Sequence, residues 1–282
     1  MIVGKWSTRA LGEVRTYDND VLVFLSDGTG WMYQLNMRSW MTDTFQWGMN
    51  DNGSIFIIGL LHEYMDEVAR QSDINKQAIS FQIKEAPSGT IILTFSMPLG
   101  SGQTKFGLET YDVPDFSKPL VEETHIHELI KMLHWQTPIS IVNETIEELI
   151  TIQDDYVHLL IQPHDKPYWD NAARVLARMD ARRLEHHIPA LLLWLQDMNW
   201  PGADTIASLL ITFGEPIISP IQQILQDKDG TWIYWILSEV VKEWPFELVL
   251  QIKDELISLA NCRLEEGVEE IVQEILQRHR VE

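Results

Sequence analysis

A chain of 282 residues with 45% hydrophobic side chains has the material for two ordinary cores. Its 21 Lys and Arg stand against 42 Asp and Glu, a formal net charge of −21. That polyanion repels nucleic acid and anionic membrane surfaces, and it attracts a basic partner through a field that salt weakens.

From Trp6 to Val113 the chain reads as short strands separated by turn signals. The apolar run Val21-Leu22-Val23-Phe24-Leu25 meets Asp27-Gly28-Thr29-Gly30, whose residues tolerate positive φ in a tight hairpin, and returns as Trp31-Met32-Tyr33-Gln34-Leu35. A third run ends at Trp47, and Asn50-Asp51-Asn52-Gly53 turns the chain into a strand over 54–61. Strands over 78–84 and 90–96 flank Ala86-Pro87-Ser88-Gly89, and 105–111 closes the series. This spacing predicts an antiparallel barrel or a strongly curved sheet, and closure removes exposed edges. The polar stretch 63–75 fits a loop or a short helix over the barrel mouth. Asp112-Val113-Pro114-Asp115-Phe116-Ser117-Lys118-Pro119 reads as a linker, because its prolines stop both helix and strand.

From Glu122 the period becomes helical. Ile126, Leu129, Ile130 and Leu133 share one face, and Asn143 with Glu147 reads as the start of the helix holding Ile146, Leu149 and Ile150. Further helices are expected over 169–179, 185–197, 203–213, 216–226, 231–243, 247–261 and 265–278. Leu195-Gln196-Asp197 recurs as Leu225-Gln226-Asp227, and each copy leads through a turn containing Trp and Gly into another apolar helix. Helix pairs at that offset stack in solenoids of the HEAT type. The fold class expected is therefore α+β in two domains: a β-barrel over 1–113, a linker over 114–121, and an acidic all-α, HEAT-like domain over 122–282. Charge follows this division, since residues 1–120 carry 9 basic and 14 acidic side chains and residues 121–282 carry 12 and 28.

Two resemblances enter here. Gly4-Lys5-Trp6, followed by a strand and the Asp27–Gly30 turn, resembles the start of bacterial lipocalin-like barrels, in which a Gly-x-Trp closes the barrel base. Leu193-Trp194-Leu195-Gln196-Asp197-Met198-Asn199-Trp200-Pro201 and Gly230-Thr231-Trp232-Ile233-Tyr234-Trp235-Ile236-Leu237 are similar to a bacterial helical family of unknown function, over about 160–280. This second resemblance implies a fold and a bacterial origin, and brings no activity or site residues. Domains of this kind occur beside toxin–immunity modules, which is an association only.

The residues that carry chemistry do not assemble into a site by spacing. Cys262, the one cysteine, excludes an intrachain disulfide and a thiolate cluster, and with no base nearby it reads as a structural thiol in a reducing compartment. His125 and His127 at i, i+2 on a helix point apart, and neither they nor Glu185-His186-His187 have metal-ligand spacing. His164-Asp165 in a proline-flanked loop lacks a nucleophile to serve. Gly100-Ser101-Gly102 leads into strand and is no phosphate loop. No cofactor, no metal and no catalytic residue is expected. The leader pattern of a signal peptide is missing at Met1–Trp6 and no apolar run spans a bilayer, so a cytoplasmic location is expected.

What remains is binding. The expected function is a non-enzymatic protein that docks a basic protein partner on its acidic helical face, in the manner of an inhibitor or a toxin-immunity protein. Candidate partner-binding residues are Glu265, Glu266, Glu269, Glu270, Trp200 and Trp232. The alternative is a small apolar ligand carried or sensed in the barrel, lined by Phe24, Trp31, Trp40, Phe45, Trp47 and Phe56; a barrel of this size is also filled readily by its own side chains.

Overall fold

A computed structural model describes residues 1–12, 19–35, 39–65, 67–99, 102–114, 122–260 and 267–279. The strands are β1 (Gly4–Ser7), β2 (Asn19–Phe24), β3 (Thr29–Leu35), β4 (Trp40–Met49), β5 (Ile55–Tyr64), β6 (Arg70–Gln71), β7 (Asn75–Ile79), β8 (Phe81–Glu85), β9 (Ile91–Phe95) and β10 (Lys105–Thr110). They form one antiparallel sheet in the order β6-β5-β4-β3-β2-β1-β10-β9-β8, with β7 also paired to β5. The first strand thus joins the meander β2–β5 to β10. The stretch 63–75, read as loop or helix, is strand at both ends: β5 runs to Tyr64, and Arg70 and Gln71 pair back onto His62 and Leu61.

Cross-strand partners share a face, and this fixes the two sides of the sheet. One side gathers Trp6, Leu22, Phe24, Phe45, Ile57, Leu93, Phe95 and Phe106. The other gathers Val21, Val23, Leu25, Trp31 and Tyr33, and it is covered by Val113, Met132 and Ile141. β2 is therefore buried on both faces, which explains a continuous apolar run where a half-buried strand alternates. Gly30 is required by contact: a Cβ there would lie 2.3 Å from the Val23 carbonyl oxygen and 2.7 Å from the Phe45 ring. Trp6 is fully buried, and its indole N–H donates to the Ile2 carbonyl at 2.8 Å.

The helices are α1 (Glu122–Lys131), α2 (Ile139–Leu149), α3 (Lys166–Leu176), α4 (Ala181–Leu184), α5 (Ile188–Leu192), α6 (Ala203–Ile211), α7 (Ile218–Ile224), α8 (Gly230–Glu239), α9 (Phe246–Leu250), α10 (Lys253–Ala260) and α11 (Val268–His279). They are shorter than the periodicity predicts, because 3₁₀ turns interrupt it at Glu185–His187, Leu193–Gln196, Glu215–Ile217 and Val241–Glu243. The contacts divide the chain into two units, Met1–Met132 with Gln136–Asn143, and Leu133–Trp135 with Glu144–Glu282. The first unit extends past the expected boundary at residue 113 because Met132 and Ile141 cover the second face of the sheet. Most of the expected linker, 115–121, lies outside the described residues.

The start of α2 also differs from expectation. Asn143 sits inside the helix, which begins after Pro138. Its first free N–H groups, those of Ile139 and Ser140, donate to the Glu63 carboxylate, each at 3.1 Å. The cap comes from a strand far away in sequence, so no local pattern announces it.

Candidate functional site

The helical unit carries two clefts that share one residue, Asp227. The first, of about 460 Å³, is walled by Pro189, Ala190 and Leu193 from α5 and the turn after it, and by Pro220, Gln223 and Ile224 from α7. Leu192 and Trp232 complete it. Trp232 is placed by the start of α8: Asp229 accepts the Trp232 backbone N–H at 3.0 Å as an N-cap, and the indole N–H donates to the Leu192 carbonyl at 3.0 Å. Trp232 therefore ties α8 to the end of α5, and Leu193 stands 40% exposed on the rim. The second cleft, of about 510 Å³, is lined by Leu225, Gln226, Asp227, Asp254, Glu255, Ser258 and Leu259. In it Gln222 donates to the Glu255 carboxylate at 2.9 Å, and Asp227 accepts the backbone N–H groups of Lys228 and Asp229. Residues 185–260, which supply both clefts, contain 11 acidic side chains and 3 lysines.

The predicted partner-binding residues do not all come together. Trp232 lines the apolar cleft. Trp200 is engaged inside the unit, packed edge-on to Trp169 at 5.4 Å with the Lys166 ammonium 5.0 Å above its ring. Glu269 and Glu270 are exposed in the first turn of α11, where the helix dipole favours negative charge. Glu265, Glu266 and Cys262 lie outside the described residues. Sequence reasoning misses Pro189, Leu193, Pro220 and Ile224, since an apolar wall residue reads like any core residue until the turns bring its neighbours together.

The six predicted barrel-lining residues do not share one face. Phe24, Phe45 and Trp47 meet on one side, with Phe24 centred 5.4 Å from each of the other two rings. Trp31 and Trp40 lie on the opposite side. Phe56 pairs with Gly48, and its ring occupies the space a Gly48 side chain would need. The register explains the split: Trp31 pairs with Val23, whereas Phe24 pairs with Gly30.

Other polar clusters are present among the described residues. In the sheet unit the buried Asp43 carboxylate accepts from Ser72 at 2.6 Å and contacts His62 Nδ1 at 3.1 Å. The carboxylate is the hub, so the Ser-to-His-to-Asp order of a nucleophilic serine is not the order present. In the helical unit Tyr168 stands 5.0 Å from the rings of both His134 and His164. His127 lies 3.9 Å from Glu123 along α1. Among the described residues no group of three or more His, Cys, Asp and Glu is placed to hold a metal ion, and no helix is long and apolar enough to cross a membrane.

His187 has its pKa pushed below 6.5 by burial first, then by His158 and His186, with Asp154 opposing. Because the folded state depresses the value, the neutral ring stabilises the fold above about 6.5, and that contribution is lost as pH falls through the folded pKa. An NMR titration of the imidazole is expected to give a His187 midpoint below 6.5. Replacing His187 by Gln is expected to flatten the fall of the urea midpoint on mild acidification; an unchanged slope would count against the assignment.

Residues 161–278 match the model of a family described as a domain of unknown function (DUF5071). This is the helical stretch read from 160–280 as similar to a family of unknown function, and both clefts lie within it. No curated protein matches the chain.

Proposed function

We propose that this protein is a non-enzymatic binding protein whose acidic helical unit docks a basic protein, in the manner of an inhibitor or a toxin-immunity factor. The observation that carries the reading is the group of carboxylates lining the second cleft, Asp227, Asp254 and Glu255, with Asp227 shared by the apolar cleft beside it. Charge of one sign beside apolar surface steers and then holds a partner of the opposite sign. α5 packs on α6, α7 on α8 and α10 on α11, while α3 also packs on α6 and α8 on α11; the consecutive pairs support a HEAT-like stack. In this reading the protein works in the bacterial cytoplasm.

The sheet serves this reading as a lipocalin-like scaffold. β7 pairs with β5 and β8 with β9, and only Ser80 separates β7 from β8, an arrangement that supports a closed barrel. The alternative function, an apolar ligand held in that barrel, is weakened by packing: Phe24, Phe45, Phe95 and Phe106 contact one another where a ligand would sit.

The test is affinity capture by the full chain at low and high salt, beside a variant in which Asp227, Asp254 and Glu255 are all changed to Lys. The expected result is a basic protein retained at low salt, released at high salt, and bound on the order of tenfold less by the variant. Equal retention by both proteins would falsify the docking reading.

A further inference from the structure

We infer that the apolar cleft between α5 and α7 is the seat of one amphipathic helix of the partner, with its apolar face against Leu193, Ile224 and Trp232 and lysines or arginines running toward Asp227. The inference rests on the docking reading and makes it specific. Its first ground is the state of the cleft's backbone. An extended peptide gains affinity by adding main-chain hydrogen bonds to an open edge. This cleft is walled by α5, α7 and the turn after α5, together with Trp232 of α8, and no strand edge lines it. Two wall residues, Pro189 and Pro220, have no N–H to offer. The carbonyl of Leu192 is already taken by the Trp232 indole. A guest that finds no strand edge to pair with must satisfy its own backbone, and a helix is the segment that does so.

The second ground is the order of surface chemistry. The cleft is apolar at Pro189, Leu193, Pro220 and Ile224, and its far end is Asp227, which also opens the acidic cleft holding Asp254 and Glu255. A helix with apolar residues at three- and four-residue spacing and cations at one end matches this sequence of surfaces. The cleft's volume, about 460 Å³, suits a few side chains rather than a whole domain face.

Two fluorescein-labelled peptides of identical leucine and lysine content distinguish the cases, both about two heptads long, one with helical spacing of the leucines and one with strict alternation. Fluorescence anisotropy with the full chain is expected to show the helical peptide binding on the order of tenfold tighter. Leu193→Ser, at a site already 40% exposed, is expected to erase that preference and leave the alternating peptide unaffected. Photo-leucine in the helical peptide is expected to crosslink to 189–193 or 220–224 of the unaltered protein, a readout that needs no variant. Equal, salt-sensitive binding of both peptides, or crosslinks elsewhere, overturns the helix-in-cleft inference and leaves acidic docking standing. Binding of neither peptide at low salt overturns both.

Discussion

Replacing Glu63 by alanine is expected to destabilise the sheet unit by about 3–5 kcal/mol, measured by urea unfolding. Glu63 is 4% exposed at the end of β5, and its carboxylate accepts three hydrogen bonds. One oxygen takes the Ser140 N–H at 3.1 Å; the other takes the Ile139 N–H at 3.1 Å and the Thr42 hydroxyl at 3.0 Å. Thr42 is its register partner on β4, so the sheet aims the carboxylate and the helix supplies the charge complement at its positive end. Alanine removes the acceptor and leaves three donors without one, and each donor stranded in a dry site costs about 1–3 kcal/mol before relaxation. Glu63→Gln keeps one oxygen but turns an N–H₂ toward a helix N–H, so an intermediate loss is expected. A loss below about 1 kcal/mol for the alanine variant would show that water takes over the cap.

Features set by neighbouring residues are legible in the sequence itself. The β2 run, the Asp27–Gly30 turn and the helical period after Glu122 all follow from local chemistry, and each appears as an element. Non-local features are not legible in that way. Local capping chemistry points to Asn143 as the start of α2, whereas the cap is Glu63, far off in the chain. The stretch 63–75 stays open between loop and helix on sequence grounds, because pairing of Arg70 and Gln71 with β5 is decided by the edge strand they meet. The aromatic residues of the sheet read as one lining because composition does not carry register. Once Val23 pairs with Trp31, alternation sends Trp31 to the face opposite Phe24. For the clefts, charge is legible as a surplus, but its place is not. Asp227, Asp254 and Glu255 meet only because α7 and α10 pack near one another, and Leu193 and Ile224 face one space only after two proline-containing turns.

Replacing Trp194 by alanine is expected to cost about 3–5 kcal/mol, with loss of near-UV circular dichroism from its neighbours. The segment from Trp194 to Gly202 is a self-bonded turn, and its residue types follow from that. Trp194 is fully buried, and its indole N–H donates to the Pro201 carbonyl at 2.8 Å, closing the turn across its base. Asp197 accepts both the backbone and side-chain N–H of Asn199 at 2.9 Å, bonds that hold its carboxyl below the usual range. The Trp200 N–H returns to the Asp197 carbonyl at 2.9 Å. Trp169 of α3 packs edge-on to both Trp194 and Trp200, at 5.9 and 5.4 Å. Gly202 then starts α6 with φ +81°, and a Cβ there would lie 2.6 Å from that of Ala173. Trp194→Phe keeps much of the buried ring but loses the bond to Pro201, so a smaller loss of about 1–2 kcal/mol is expected. A loss below about 1 kcal/mol for Trp194→Ala would mean the turn holds without its buried ring. The neighbour on the rim makes the point functional. Leu193 is 40% exposed to the apolar cleft while Trp194 is fully enclosed, so one 3₁₀ turn serves core and cleft at once. Loosening Trp194 is therefore expected to lower affinity for the helical leucine–lysine peptide as well as stability, whereas Leu193→Ser lowers affinity alone.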